Sequence, residues 1–366
     1  METNERFLIL DLFRGVAAFG VLIFHIIYKS NSGYNFVDGL YVLVDFFFVL
    51  SGFVLLTTFP QNKKGFLKDY RKFVFLRAIR LMPIPMIAIF LSLLPYWFGR
   101  LVTGRSDIFV FENSNKSLDD VISGILLLQI VFSTSIFLVI PLWSLSAEWI
   151  TNLITALFGP LKSNLPILFL ICFGYLALFY GMTNDKEWIE MIGATRGWEA
   201  LGRAIIGFSI GMLIRKNYKY LKNFKGRFSL TLALVLFAIA NTTWFYVGFS
   251  NLYFTSIVFG VVVLHLSFIK ISKTSKLGRI SKSVGHYSFG LYAFHMVFLM
   301  WFNYWDSSPG FGEGDVNWIR YFVIKTMVVG GLSLIVTHLS IKYVEGPIRK
   351  FGTFFINQDD NARKLG

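Results

Sequence analysis

The sequence predicts an all-α fold: a polytopic transmembrane helix bundle of about ten spans with both termini cytoplasmic. Three observations carry that reading. Hydrophobic residues make up 55% of the 366, and mean hydropathy is +0.60, where ordinary soluble domains are about 45–50% apolar. The apolar residues fall in blocks of roughly twenty, the length an α-helix needs to cross hydrocarbon. Basic and acidic loops alternate between those blocks, as they do when successive loops face opposite sides of a bilayer.

The blocks read, in order, as spans near 7–28, 40–59, 73–98, 121–160, 165–183, 198–214, 229–248, 252–269, 284–304 and 318–343. The first follows a poor n-region and has no small-residue cleavage site, so it is expected to stay as a span. The second contains Ser51, Gly52 and Phe53, a small-residue break that allows close helix approach. Pro83, Pro85 and Pro95 are expected to kink the third, because proline removes an intrahelical hydrogen bond. The block 121–160 is long enough for two passes and is divided by Pro141.

Charge arbitrates that case. Lys63, Lys64, Lys68, Arg71 and Lys72 mark loop 60–72 as cytoplasmic, and Arg215, Lys216, Lys219, Lys222, Lys225 and Arg227 mark 215–228. Lys270, Lys273, Lys276, Arg279 and Lys282 mark 270–283, and Arg349, Lys350, Arg363 and Lys364 mark the end of the chain. Asp107, Glu112, Asp119 and Asp120, then Asp185, Glu187 and Glu190, then Asp306, Glu313 and Asp315 suit the outside. An even number of passes must separate the first two basic loops. Hence 121–160 crosses once, with its other half re-entrant, short or interfacial. No internal repeat or second soluble domain is visible. Residues 1–350 read as one membrane domain and 351–366 as a short cytoplasmic tail.

The net charge of +14 belongs to the cytoplasmic loops of a membrane protein, so nucleic acid is not an expected partner and lipid is. The single cysteine, Cys172, allows neither an intrachain disulfide nor a CxxC metal site. Nucleotide P-loops, GxGxxG, GxSxG and HExxH are all missing. No metal and no permanently bound cofactor is expected.

Polar residues inside the spans carry the function. A charge at the bilayer centre costs about 2.5–3.5 kcal/mol on insertion scales, so such residues face a bundle interior or a wet cavity. The stretch "LDLFRGVAAFGVLIFHIIY" holds Asp11, Arg14 and His25. Asp11 and Arg14 are spaced to pair along a helix. Arg14 and His25 project from nearly one face, about 16 Å apart at helical rise. Asp45 in the second span and Glu148 in the 141–160 pass read as lying at the depth of His25. A histidine beside a carboxylate is a general-base arrangement. Arg77 and Arg80, in "FLRAIRLMP", form a guanidinium pair at the inner end of the third span, suited to phosphate. Ser51, His295 and Trp143 are candidate cavity-lining residues, with Asp11. His265, His286 and His338 read as packing or interfacial residues, and Trp143, Trp149 and Trp301 as belt aromatics or stacking faces for a sugar.

The ordered set "LDLFRGVAAFGVLIFH", "VDFFFVLSGF", "FLRAIR", "PLWSLSAEW", "YSFGLYAFH" and "YVEGPIRK" resembles the acyltransferase family 3 integral membrane O-acyltransferases. The motifs run from residue 10 to about 350. The resemblance implies acyl transfer, usually of acetyl from cytoplasmic acetyl-CoA, to hydroxyls of a glycan or lipid-linked saccharide at the bacterial cytoplasmic membrane. It carries over Arg14 and His25, Arg77 and Arg80, and Glu148, with Asp45 and His295 matching less closely. The expected mechanism has the donor phosphates on Arg77 and Arg80 and the pantetheine arm running past Arg14. His25 is the base, and Glu148 or Asp45 stabilises its imidazolium. Two alternatives stay open: a glycan or lipid-precursor transporter, since intramembrane Asp, Arg and His also mark proton relays, and an acyltransferase with a cytoplasmic small-molecule acceptor.

Overall fold

The computed structural model describes residues 7–28, 35–59, 65–103, 118–132, 138–159, 161, 163–185, 195–223, 229–242, 248–305 and 317–362. The acidic loops around 107, 112, 187, 190 and 306–315, together with Lys63, Lys64, Lys225, Arg227, Arg363 and Lys364, lie outside the described residues. All regular structure among the described residues is helical. The long elements are α1 (Leu8–Tyr28), α2 (Leu43–Leu55), α3 (Phe66–Leu81), α4 (Pro83–Thr103), the short α5 (Leu118–Ile125) and α6 (Gln129–Phe132), α7 (Leu142–Leu157) and α8 (Leu165–Asn184). They continue with α9 (Gly197–Lys216), α10 (Leu230–Thr242), α11 (Leu252–Ser267), α12 (Lys276–Trp305), α13 (Asn317–Ser340) and, after a π-helical turn Ile341–Glu345, α14 (Gly346–Ala362). Among the described residues, six helices are long and apolar enough to cross a membrane. With the basic-loop pattern they make this a multi-pass membrane protein.

Proline and glycine set the breaks and contacts. The third block divides at Met82, immediately before Pro83, which opens α4; proline has no N–H to give and suits the first helical position. Helix α4 continues through Pro95 without interruption. The block 121–160 becomes two short helices and the 16-residue α7, which starts at Pro141. The Gln129 amide donates to the Leu142 carbonyl at 2.8 Å, tying the short helices to the start of α7. The residues read as a tail from 351 continue as helix to Ala362, and a Cβ on Gly352 would meet Ile79 at 2.5 Å and Phe75 at 3.3 Å, so α14 lies on α3.

Close-packing glycines fix the helix directions. A Cβ on Gly15 would fall 1.9 Å from Val284, and one on Gly285 would fall 2.6 Å from Asp11. With Arg14 against Ser288 and His25 against His295, residue numbers rise together, so α1 and α12 are parallel. Helices α2 and α9 are also parallel: Asp45 meets Arg203, a Cβ on Gly207 would meet Phe48 at 2.8 Å, and one on Gly211 would meet the Phe53 nitrogen at 2.6 Å, while a Cβ on Gly52 would fall 1.8 Å from the Phe208 carbonyl. The close-packing reading of Ser51–Phe53 is therefore met by a backbone-to-backbone contact.

Candidate active site

The start of α1 supplies one wall of a cavity of about 450 Å³. Asp11 and Arg14 line it from α1, Ser51 from α2, Arg77 and Arg80 from α3, Glu148 from α7, and Glu345 and Arg349 from the C-terminal turn and α14. Four arginines and three carboxylates thus meet in one chamber. Arg14 pairs with Asp11 at 3.2 Å, Arg77 with Glu148 at 2.8 Å, and Arg349 with Glu345 at 3.0 Å. Arg14 also reaches across to α12, donating to Ser288 Oγ at 3.0 Å and to the Gly285 carbonyl. Such cross-helix bonds are how a guanidinium is tolerated at membrane depth. The Glu148 carboxylate additionally accepts from Ser51 Oγ at 2.8 Å.

Phe47, Ser144 and Tyr292 also line the vestibule. The Tyr292 hydroxyl lies 2.7 Å from Ser144 Oγ and donates to the Pro141 carbonyl at 3.0 Å. One turn further along α12, the Tyr292 ring meets the His295 ring, centroid to centroid 5.9 Å. His295 is fully buried, and its Nε2 lies 3.2 Å from Nδ1 of His25.

Hydrogen-bond logic assigns the tautomers. A carbonyl can only accept, and each Nδ1 faces one: His25 the Val21 carbonyl at 2.9 Å, His295 the Leu291 carbonyl at 3.2 Å. Both Nδ1 atoms therefore carry hydrogen. Neutral His295 then presents its Nε2 lone pair to the same His25 Nδ1–H, which is shared between it at 3.2 Å and the Val21 carbonyl at 2.9 Å. The lone pair of His25 resides on Nε2, where a general base needs it.

Neither carboxylate expected beside His25 is there. Glu148 sits in the vestibule on Arg77 and Ser51, because α7 starts at Pro141, beside Tyr292, and not at a membrane face. Asp45 is fully buried against Arg203 of α9, which donates to it at 2.7 and 3.3 Å. The same guanidinium bonds the Tyr41 hydroxyl and stacks over the Tyr41 and Trp143 rings at 4.6 and 4.8 Å. Trp143 and Trp149 are core residues, neither a belt nor an open stacking face, and the Trp301 indole N–H donates to the Leu91 carbonyl at 3.3 Å. His286, read as packing, lines the vestibule; His265 accepts from the Ser229 amide at 3.2 Å, and His338 lies 2.9 Å from the Tyr287 hydroxyl. Asp11, Ser51 and the Asp11–Arg14 pair are where the spacing put them.

Four residues escaped the sequence reading. Arg203 is a lone arginine in an apolar block, the signal that singled out Arg14. Tyr292 lies within "YSFGLYAFH", and Glu345 and Arg349 within "YVEGPIRK". Tyr292 and Glu345 stand in those motifs without a role, Arg349 reads only as a cytoplasmic charge, and Arg203 belongs to no motif.

These features define a class: a multi-pass helical membrane protein with an arginine-lined chamber at one end of α1 and a histidine pair at the other. The chain belongs to the acyltransferase family 3, whose model, described as an acyltransferase domain, matches residues 7–338. It is a membrane acyltransferase. It is also similar to "Protein 2 in picA locus" of Rhizobium radiobacter, with 33% identity over 165 residues, 42% of this chain and 83% of that protein. No solved structure matches.

Proposed function

We propose that the chain is an O-acyltransferase of the bacterial cytoplasmic membrane. It moves acetyl from cytoplasmic acetyl-CoA to a hydroxyl of an extracytoplasmic glycan, such as a polysaccharide, O-antigen or glycolipid. The observation that supports this best is the single uninterrupted helix α1, with Arg14 in the basic vestibule and His25 in the histidine pair. Eleven residues of helix give about 16 Å, a span comparable to an extended pantetheine arm.

In this reading the donor's phosphates stay in the vestibule near Arg77 and Arg80, and the arm extends past Arg14 toward Tyr292. His25 Nε2 takes the proton of the acceptor hydroxyl. The hydroxyl oxygen attacks the thioester carbonyl, the C–S bond breaks, and the thiolate leaves to be protonated. The imidazolium formed on His25 keeps its Nδ1–H on the His295 lone pair, so His295 takes the orienting role that a carboxylate holds in other general bases. Glu148 and Asp45 hold Arg77 and Arg203 in place and act on the site through them. Arg14 fixes α12 against α1.

The test is transfer of labelled acetyl from acetyl-CoA by purified protein. His25→Ala is expected to lose at least about 10²-fold, the usual range for a general base, while inserting and folding normally. A variant that kept its rate would remove His25 from the chemistry, and a wild-type protein that consumed no acetyl-CoA would remove the donor assignment.

A further inference from the structure

Three of the four vestibule arginines are matched by a carboxylate: Arg14 by Asp11, Arg77 by Glu148, Arg349 by Glu345. Arg80 is not. It lines the cavity, is exposed to it, and makes no hydrogen bond or ion pair among the described residues. Arg349, on the adjacent α14, lies close enough to repel it, and the carboxylates of Glu148, Glu345 and Asp11 act on it only through space, without a direct bond. Arg349 is itself half free: its side chain is 52% exposed, and its partner Glu345 lies on its own helix, one turn back. Two guanidinium groups directed into one chamber repel each other unless an anion lies between them. Arg77 differs. It is buried and neutralised by Glu148, so its charge is already spent within the protein.

We propose that Arg80 and Arg349 together form the phosphate clamp of this enzyme, with α3 and α14 each supplying one guanidinium. Arg77 is a positioning residue that holds Glu148. The inference rests on the acetyl-CoA reading above and divides the Arg77/Arg80 pair that the sequence treats as a unit. The ligand chemistry is a phosphate ester, and two sources supply it: the nucleotide end of the donor, or an anionic lipid headgroup at the bilayer surface. The proposal commits to the donor. The fold carries Arg349 to the chamber, because α14 packs along α3, with Gly352 on Ile79 and Phe75, and is joined to α13 by the π turn Ile341–Glu345. Guanidinium groups suit this work because they bind phosphate oxygens in pairs.

The experiment measures acetyl transfer by the full-length protein in nanodiscs of phosphatidylcholine alone, with acetyl-CoA or acetyl-dephospho-CoA as donor. Arg80→Ala and Arg349→Ala are each expected to raise the KM for acetyl-CoA by tenfold or more with kcat held within a few-fold. Arg349→Lys is expected to recover part of it. Glu345→Gln, which removes the carboxylate that competes with phosphate, is expected to lower that KM. An equal rise in KM for Glu345→Gln and Arg349→Ala would overturn the proposal, since the ion pair would then only hold the helix. Unchanged KM in both arginine variants would overturn it too. If their effects appear only when phosphatidylglycerol is added to the discs, and not in phosphatidylcholine alone, the clamp holds lipid and the donor assignment fails. If Arg349→Ala costs the same with both donors, the clamp holds the pyrophosphate; if the cost vanishes with acetyl-dephospho-CoA, it holds the 3′-phosphate. Both results support a donor clamp. Failure of the wild-type protein to use either donor would instead defeat the underlying reading, and is distinguished by the absence of any transfer to compare.

Discussion

Asp45 and Arg203 are both fully buried and 158 residues apart in sequence. Removing one member of such a pair strands the other's charge where nothing can solvate it, at a cost of about 3–5 kcal/mol. Asp45→Ala is therefore expected to lower the melting temperature sharply in detergent, and Asp45→Asn to do so nearly as much, because the amide keeps the shape but not the charge. Replacing both residues with apolar side chains of similar volume should recover most of the loss. Thermal unfolding of the three variants checks this, and an Asn variant that melts with wild type would show the charge to be dispensable. The same pair shows where the sequence stops being readable. Asp45 was legible as an intramembrane acid, since cost alone marks such a residue. Its partner was not, because ion pairing is set by which helices touch, and nothing local links the second span to the sixth. Lacking Arg203, the sequence assigns Asp45 to the nearest available chemistry, the histidine. His25 and His295 were each legible as a lone histidine in an apolar run, but that the two rings meet was not, for the same reason.

At the scale of helices, small residues decide the packing, as expected where lipid removes the hydrophobic drive between helices. Helices α2 and α9 touch backbone to backbone at Gly52 and Gly211, where an added Cβ would fall 1.8 Å from the Phe208 carbonyl oxygen and 2.0 Å from that of Val49. A carbonyl cannot rotate away as a side chain does, so the helices themselves must part, and overpacking of this kind costs about 1–3 kcal/mol or more. Gly331 of α13 has nothing within 4 Å of its Cβ position, and there alanine should stabilise, by about 0.5–1 kcal/mol, through lost backbone freedom in the unfolded chain. Gly52→Ala and Gly331→Ala are thus expected to shift the melting temperature in opposite directions. A shared sign would mean that helix propensity, and not contact, governs both. Element boundaries were legible where proline writes them, at Pro83 and Pro141. The depth of an element was not. The sequence set α7 across the whole bilayer and so raised Glu148 to the level of His25. In the fold α7 starts beside Tyr292, and Glu148 belongs to the vestibule.

For the whole molecule, the contacts give each long helix a direction relative to the vestibule. α1 leaves it, running from Asp11 to His25, and α2 returns, from Tyr41 beside Phe24 to Ser51 beside Glu148. α4 leaves, from Ile84 in the vestibule to Leu91 beside Trp301, and α7 returns, from Ser144 beside Tyr292 to Leu153 beside Tyr70. α9 is parallel to α2 and α8 antiparallel to it, since Gly174 faces Ile206 while Gly181 faces Glu199. α10 and α11 are antiparallel, with Ser229 on His265 and Ala240 on Asn251, and α11 runs with α9. α12 leaves with α1, and α13 comes back to Arg349. Among the described residues these ten helices alternate in direction relative to the vestibule, and the basic loops before α12 and at the start of α14 lie at the vestibule end, the end the positive-inside rule assigns to the cytoplasm. That placement leads to a labelling prediction. Cys172 is the single cysteine, so Cys172→Ser yields a cysteine-free background. In that background Lys273→Cys, in the basic loop before α12, and Lys350→Cys, at the start of α14, lie at the vestibule end. Asp185→Cys, at the end of α8, lies at the opposite end. In intact cells a membrane-impermeant maleimide is expected to label Asp185→Cys alone, and the other two only after permeabilisation. Labelling of Lys350→Cys in intact cells would place the vestibule outside. The arginine chamber would then face away from cytoplasmic acetyl-CoA, and the direction of acyl transfer would have to be reversed.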